Sequence, residues 1–268
     1  MRILLALLPL ASGFALQEQP WFSLPFECEG SLSYAYTFFD HVQDAKPQLH
    51  STYKEQLFAL NLGVTAPETI NWELEWAVAK TPRHGVGYRT FAFQARYLWL
   101  DDCQGDAVSW ATGLTLRNVS AGSLHDLSNP FPARGCFELT NAIGKEWIHG
   151  CNWGQRFFGF LGVGQGTQGS PWLRTDFFYY AAYQERHELR AYCLSYFGFG
   201  SHHIVHLEHF NGWSKIAHRS IDGGIGYRFC FPCWGSLSVD YIRRLYARSY
   251  PSRSNCFLLS YELPFSVF

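Results

Sequence analysis

The stretch INWELEWAV, residues 70–78, alternates large apolar side chains with polar ones. Trp72 and Trp76 fall at even positions, whereas Glu73 and Glu75 fall at odd ones. A period of two predicts an extended strand, because successive side chains of a strand point to opposite faces. The polar face of such a strand meets bulk water in a soluble sandwich, or a wet lumen in a membrane barrel. The number of such strands and the two ends of the chain distinguish these cases.

The alternation recurs in segments of about ten residues, the length that a tilted membrane strand needs. Turn-like segments rich in Gly, Pro, Asn and Asp lie between several of them. Twelve strands are predicted, at 31–39, 55–65, 70–78, 88–99, 107–117, 136–146, 155–165, 173–184, 187–199, 219–231, 236–247 and 256–268. An even number of antiparallel strands closes with both termini on one side. A further strand within 203–210 would raise the count toward fourteen.

The connections between these strands alternate in length. The longer ones, 40–54, 118–134, 200–218 and 248–255, all fall on one side, where two short connections also occur. Outer-membrane barrels combine short periplasmic turns with longer external loops. The predicted fold class is therefore all-β, an antiparallel transmembrane β-barrel of about twelve strands, with fourteen as the alternative.

The start of the chain has the features of an export signal. Arg2 precedes an apolar run over residues 3–10, and Gly13 and Ala15 are the small residues that precede a signal cleavage site. We therefore expect residues 1–15 to be a signal peptide and residues 16–268 to form one barrel domain. Export through the periplasm to a bacterial outer membrane follows as the expected location.

The end of the chain points to the same location. Phe268 closes an alternating segment, and a terminal phenylalanine is typical of outer-membrane barrels, whose assembly machinery recognises the last strand. The expected partners are thus this machinery and the lipid bilayer. Aromatic residues make up 18% of the chain, which suits the aromatic girdles of membrane barrels. The net charge of -1 gives no support to nucleic-acid binding, and no cofactor is predicted.

Polar residues at the inward positions of the predicted strands are the candidates for the lumen. Opposite charges among them could pair across a narrow lumen and plug it. The candidates are Glu73, Glu75, Gln94, Arg96, Arg117, Arg174, Asp176, Asp222 and Arg228. The leading hypothesis is a structural envelope component or a narrow pore, because clear channels are typical of larger barrels.

Two alternatives remain open. His218, Ser220 and Asp222 share one strand face at a spacing of two, and outer-membrane lipid hydrolases use a His and a Ser spaced in this way for acyl attack. The predicted register turns His218 and Ser220 toward the lumen, whereas those enzymes act on the lipid face. The other alternative is a surface-exposed binding module or adhesin that uses the loops 118–134 and 200–218. The histidines of the second loop are interpreted as solvated residues, so no metal site is predicted.

Four segments resemble a known group of proteins. AIGKEW (142–147), GSPW (169–172), EHFNGW (208–213) and HRSIDGGIGYRF (218–229) are similar to segments of uncharacterised outer-membrane barrel proteins of chlamydia-type bacteria. The resemblance covers most of the chain after residue 15. It implies an outer-membrane location and no particular catalytic activity.

The chain contains eight cysteines, and an even count in an exported protein permits disulfides. Cys230 and Cys233 have the spacing of a redox motif, but the βαβ context of thioredoxin-like proteins is missing, so the pair is interpreted as a turn-capping disulfide or crosslink, or as free structural thiols. Five cysteines, an odd number, are predicted near the periplasmic rim, which allows a disulfide to another molecule. They are Cys28, Cys103, Cys151, Cys230 and Cys233. The resemblance implies disulfide-linked envelope proteins as partners, because the envelopes of that group are similar to disulfide-crosslinked coats.

Overall fold

Long amphipathic strands form nearly all of the regular structure. The computed structural model describes residues 16–150, 152–232 and 234–266. The predicted signal peptide, Cys151, Cys233 and Phe268 lie outside these residues. The barrel strands are β1 (Glu27–Phe39), β4 (Tyr53–Thr65), β5 (Ile70–Thr81), β6 (Gly85–Leu100), β7 (Ser109–Val119), β8 (Gly135–His149), β9 (Trp153–Gly166), β10 (Trp172–Tyr183), β11 (His187–Gly198), β13 (Arg219–Phe231), β14 (Gly235–Arg248) and β16 (Asn255–Ser266).

These twelve strands pair antiparallel with their neighbours, and β1 pairs with β16 to close the barrel. Closure leaves no open sheet edge, as a membrane barrel requires. The prediction of twelve strands is confirmed, and the alternative of fourteen is wrong. Within 203–210 only β12 (Val205–His206) is extended, and it pairs with β3 (Ala45–Lys46) outside the barrel. A second small sheet joins β2 (His41–Val42) to β15 (Pro251–Ser252).

The strand alternation separates an apolar exterior from a polar interior. On β5, Trp72 and Trp76 are exposed by 38% and 50%, whereas Glu73 and Glu75 are each exposed by 3%. Exposed Leu, Phe, Trp and Tyr side chains cover the outer face of the other barrel strands in the same way. Because lipid-facing charges are costly near the bilayer midplane, this division is the one that a membrane barrel needs.

The two ends of the barrel differ. At one end, which we call the turn end, the strands are joined by short turns, and large aromatic residues surround the rim. Trp99 stacks on Trp110 with ring centroids 5.8 Å apart, and Trp153 contacts Tyr183 at 4.8 Å. At the other end, the loop end, the connections are 40–52, 82–84, 120–134, 167–171, 199–218 and 249–254.

The third of these connections contains a single short helix, α1 (Ala121–Leu124), which Ser120 caps through its side chain. In the described part of the chain, no helix has the length and apolar character that crossing a membrane requires.

Two β-bulges lie near the loop end, and each gives one strand an extra residue relative to its neighbour. Between β5 and β6 the register shifts so that Arg89 has no partner across the ladder, and its side chain is buried at 3% exposure. Between β13 and β14, Asp222 faces Arg244 and the extra residue is Leu245, which points outward. A bulge re-aims the side chains beside it. The first bulge turns Arg89 into the lumen, whereas Arg244 points inward at the same parity as Asp240 and Ile242.

Candidate functional site

The lumen is the candidate site, because it collects buried charged residues that are costly unless they are paired. On one wall, Arg96 Nη2 lies 2.7 Å from Glu73 Oε1, and both side chains are under 5% exposed. Arg117 on β7 forms an ion pair with Glu75 on β5. Gln94, which lies directly opposite Glu73 on β6, donates a hydrogen bond from Nε2 to Thr115.

The chain just before β1 lies inside the barrel. Gln17, Glu18 and Gln19 are exposed by 8%, 7% and 0%, although they belong to no strand. The backbone N–H of Gln17 donates to Glu73 Oε2 over 2.8 Å. Arg96 donates to the carbonyl oxygen of Gln19 and to Gln17 Oε1, each over 2.7 Å. We call residues 16–23 the N-terminal segment.

The N-terminal segment also crosses to the opposite wall of the barrel. Glu18 forms an ion pair with Arg174 on β10. The same guanidinium lies 3.6 Å from Asp176 and 3.8 Å from Glu138. Because the segment is bonded to β5 and β6 on one side and to β10 on the other, it spans the width of the lumen.

Trp21 anchors the segment near the turn end. Its Nε1 donates to Asp102 Oδ1 over 2.8 Å, and its ring meets Phe158 edge-on with centroids 5.6 Å apart. The Arg156 guanidinium lies 5.0 Å from the ring centroid, a cation–π distance. Gly144 makes room for the indole: a Cβ at that position would lie 2.7 Å from Trp21 Cη2.

A hydrophobic cluster that we call the cap covers the lumen at the loop end. It combines strand ends with residues from four loops. Its members are Phe39, Val42, Ala45, Tyr53, Leu127, Val205, Leu207, Phe210, Trp213, Ile216 and Tyr250. Trp213 is 1% exposed, and its ring packs on Tyr250 with centroids 4.6 Å apart. Arg83 ties the loops together by donating to the carbonyl oxygens of His125 and Leu207, each over 2.9 Å.

A cavity of about 150 Å³ remains between the N-terminal segment and the cap. Glu18 lines it from below, and Leu127 and Tyr250 line it from the cap. One side of its wall is apolar, with Leu57 and Ile242, and the remainder includes Asp222 and Arg244.

Two further predicted residues take part in lumen ion pairs. Asp222 accepts hydrogen bonds from Arg244 Nε and Nη2 over 2.7 and 2.9 Å, a bidentate arrangement. Arg228 Nη2 lies 3.5 Å from Glu262 on the other side of β14. The nine candidate positions are thus distributed along the lumen wall, and the structure does not bring them together at one centre.

The candidate hydrolase residues are not linked to one another. His218 donates a hydrogen bond from Nδ1 to the carbonyl oxygen of Ile216 over 2.8 Å, and its Nε2 has no hydrogen-bond partner among the described residues. Ser220 is 2% exposed, and Asp222 is engaged by Arg244. The arrangement therefore lacks the hydrogen bond through which His218 would accept a proton from Ser220.

Instead, His218 is part of an aromatic stack beneath the cap. Its ring centroid lies 5.0 Å from that of Tyr250 and 5.3 Å from that of Tyr196, with interplanar angles of 16° and 24°. Burial lowers the pKa of His218 to about 4, and the positive charge of Arg244 acts in the same direction. The ring is therefore neutral at physiological pH, as a packed aromatic residue.

All the cysteines within the described part of the chain are free thiols, including three at the turn end. Cys28 is the second residue of β1, Cys103 lies exposed in the turn after β6, and Cys230 lies near the end of β13. The predicted pairing of Cys230 involves Cys233, which lies outside the described residues. Partial burial and the adjacent carboxylate of Glu146 raise the pKa of Cys103.

One group of residues in the turn end has the composition of a metal site. Within 101–103, two carboxylates and a thiol place one ligand atom each within 4.8 Å of one another. The Asp102 carboxylate already accepts hydrogen bonds from Trp21 and Ser109. These hydrogen bonds account for the position of the Asp102 carboxylate. Among the described residues, the histidines of 201–218 form no such group.

Several lumen residues were not predicted from the sequence. Arg89, which forms an ion pair with Glu55, is turned inward by a bulge that a strict period of two does not foresee. Arg244 continues the inward parity of Asp240 and Ile242, so the period of two does indicate it, although it is not among the predicted lumen residues. The N-terminal segment has no alternation, and its polar run Gln17–Gln19 is the only sequence feature that distinguishes it from the apolar residues before it.

Comparisons with known proteins identify the fold. No protein-family model and no curated protein matches the chain. The chain is similar to an outer membrane channel from Pseudomonas putida F1, with 11% identity and a TM-score of 0.61, over 91% of this chain and 97% of that one. It is also similar to the NanC porin, with 8% identity and a TM-score of 0.58, over 86% and 97% of the two chains. The fold is that of bacterial outer-membrane β-barrels.

Proposed function

We propose that this protein is a structural component of the outer membrane whose barrel is closed to the passage of solutes. The observation that carries the proposal is the position of the N-terminal segment. Residues 16–23 cross the lumen and are bonded to opposite walls through Arg96 and Arg174. A barrel of this size, between filled eight-stranded barrels and open porins, needs such a filling to exclude water.

The cap supports the same function from the other end. Trp213, Phe210 and Leu207 are buried over the mouth at the loop end, where an open porin would leave an aqueous entrance. A solute would have to displace both the cap and the N-terminal segment. The remaining cavity of about 150 Å³ lies between these two obstacles.

Conductance across a planar bilayer tests the proposal. The purified chain, refolded and checked for barrel formation by its heat-dependent mobility on gels, should give no steady channels. Persistent channels of fixed conductance in the unaltered protein would instead establish the narrow pore. A double variant, Trp21→Ala with Arg96→Met, serves as the comparison, because it removes two attachments of the N-terminal segment and should admit ions.

We also propose that the chain is processed after Ala15, so that Leu16 becomes its first residue. Leu16 is 6% exposed, and it lines a small cavity beside Glu138 and Trp172, so the processed amino terminus would start within the lumen. The intact mass of protein recovered from outer-membrane fractions tests this. A membrane-inserted chain that retains residues 1–15 would refute the cleavage.

Finally, we propose kinship with the outer-membrane proteins of chlamydia-type bacteria, on the strength of the four similar segments given above. Disulfide-linked envelope partners at the turn end belong to the same proposal, as does folding by the outer-membrane assembly machinery. Envelopes run on gels without reductant should then contain this chain in high-mass species that disappear on reduction. A chain that stays monomeric under oxidising conditions would contradict the disulfide partners.

A further inference from the structure

Charge on β10 to β14 is divided by sign between the two faces of the barrel. The carboxylates of these strands point into the lumen, where Asp176, Glu188 and Asp240 are each at most 5% exposed. Asp222 is held by Arg244 inside the barrel. The charged side chains on the outer face of the same strands are all basic. They are Arg219, Arg243 and Arg248.

The three outer arginines are grouped near the loop end. Arg219 and Arg248 are direct partners across the β13–β14 ladder, and Arg243 pairs with Gly223 closer to the middle of the barrel. Among the described residues, no carboxylate lies within ion-pair distance of any of them. Two like charges directly opposite each other on a sheet are destabilising. An arginine on the lipid-facing surface costs more the nearer it lies to the bilayer midplane, so of the three Arg243 most needs a partner. The cluster therefore calls for an anion from outside the chain.

An apolar groove begins beside the arginine cluster. It is an open depression of about 520 Å³ on the outer face, and Phe177, Tyr179, Tyr241 and Leu245 line it. Gly223 contributes to its floor, and a Cβ at that position would lie 3.0 Å from Leu245 Cδ1. Because Gly223 is the ladder partner of Arg243, the groove begins beside that arginine.

We propose that Arg219, Arg243 and Arg248, together with this groove, bind a phosphorylated acyl lipid of the outer leaflet. The guanidinium groups would hold the phosphate, since arginine matches phosphate in a bidentate manner. One acyl chain would lie in the groove. The loop end faces outward in barrels of this kind, so the arginines stand at the depth of outer-leaflet headgroups. The inference rests on the proposed membrane location.

Lipid titration of the folded protein in detergent micelles, followed by native mass spectrometry, tests the proposal. Diphosphoryl lipid A is the probe, and its dephosphorylated form is the comparison. The unaltered protein should bind the phosphorylated form at least about tenfold more tightly. The double variant Arg243→Gln with Arg248→Gln should weaken that binding about tenfold or more, and leave binding of the dephosphorylated form almost unchanged.

A matched control is available at the same end of the barrel. Lys54 and Lys80 are exposed on β4 and β5, away from the groove, so Lys54→Gln with Lys80→Gln removes the same charge. This control should bind like the unaltered protein. An equal loss in both double variants would reduce the effect to general surface charge and overturn the proposed site. Equal binding of both lipid forms by the unaltered protein would overturn it as well.

Two further measurements complete the test. Gly223→Leu fills the groove and should weaken binding of the intact lipid. If Gly223→Leu weakened the binding of soluble pyrophosphate as much as the arginine variant does, that result would contradict an acyl-chain site. Competition by pyrophosphate as strong as that by lipid A would also contradict it. Heat-dependent gel mobility and partition into vesicles are recorded for every variant. If the unaltered barrel does not enter vesicles, the membrane location itself fails, which is distinct from an inserted barrel that does not bind the lipid.

Discussion

Trp21 donates a hydrogen bond to Asp102 across 2.8 Å, which joins the N-terminal segment to a turn 81 residues later in the chain. Asp102 also accepts hydrogen bonds from Ser109 and from the backbone N–H of Glu146. Partial burial acts to raise the pKa of Asp102, but these hydrogen-bond donors, together with the positive charge of Lys145, lower it. The turn end is thus organised around the residue that holds Trp21.

Replacing Trp21 with Ala should detach the N-terminal segment from the wall while the barrel stays closed. The loss of a buried indole costs about 3–5 kcal/mol, and the hydrogen bond to Asp102 is lost with it. We expect proteases added to refolded barrels to cut within residues 16–23 of the variant, and ion conductance to rise. Trp234→Ala is the matched control, because Trp234 is 73% exposed and contacts lipid or solvent instead. Equal protection of both variants would show that Trp21 is not an anchor.

Replacing Arg96 with Met should be more disruptive than its size suggests. The substitution removes two hydrogen bonds to the N-terminal segment and leaves Glu73 buried without its cation. Breaking a buried pair in this way costs about 3–5 kcal/mol. Urea unfolding of the barrel in vesicles measures the loss.

A second substitution separates the contribution of the charge from that of the segment. Glu73→Gln in the Arg96→Met background removes the unpaired charge and should restore part of the stability. The conductance caused by Arg96→Met should persist, because Gln17 and Gln19 still lack their donor. A double variant no more stable than Arg96→Met would contradict the role of the unpaired carboxylate.

The strands could be predicted from the sequence because lipid and lumen both impose a period of two. Each of the twelve predicted strands overlaps an observed one, and the differences are confined to their ends, as for β6, which extends to Gly85–Leu100. The same period predicts that Glu73 and Glu75 share the face that points into the lumen. Lipid contact thus fixes most of the barrel wall without any knowledge of which strands pair.

The filling of the lumen could not be predicted in this way. The N-terminal segment carries no periodic signal, and its partners Arg96 and Arg174 lie far along the chain and meet it only after the barrel closes. The bulge at Arg89 interrupts the alternation by one residue, which sequence alone does not distinguish from the end of a strand. The cap combines single residues from separate loops, so no local pattern identifies it.

The cap should loosen in mild acid because of His218. Burial lowers the pKa of this histidine to about 4, whereas in an opened loop it would be near 6.5. The stability of the cap is therefore complete above pH 6.5 and falls as the pH decreases toward 4. The loss at pH 5 is about 2 kcal/mol. Hydrogen exchange of the loops at pH 7.5 and pH 5, corrected for the intrinsic rate, measures it.

Two variants isolate this histidine from the other groups that titrate. His218→Phe keeps an aromatic ring between Tyr196 and Tyr250 and should abolish the additional loosening at pH 5. His209→Phe alters an exposed histidine of the same loop and should leave the loosening as it is. If His218→Phe retained the full pH dependence, the cause would lie in other residues.

Cys103 should be slow to react although it is exposed. Its Sγ lies 3.3 Å from Glu146 Oε2, and partial burial together with this carboxylate raises the thiol pKa. The thiolate is the reactive form, so less of it is present at pH 8 than in an unperturbed cysteine. Alkylation with iodoacetamide, followed by mass spectrometry of the peptide, should be several-fold slower than for a cysteine in a model peptide. Glu146→Gln should speed it, whereas an unchanged rate in that variant would show that the carboxylate does not control the thiol.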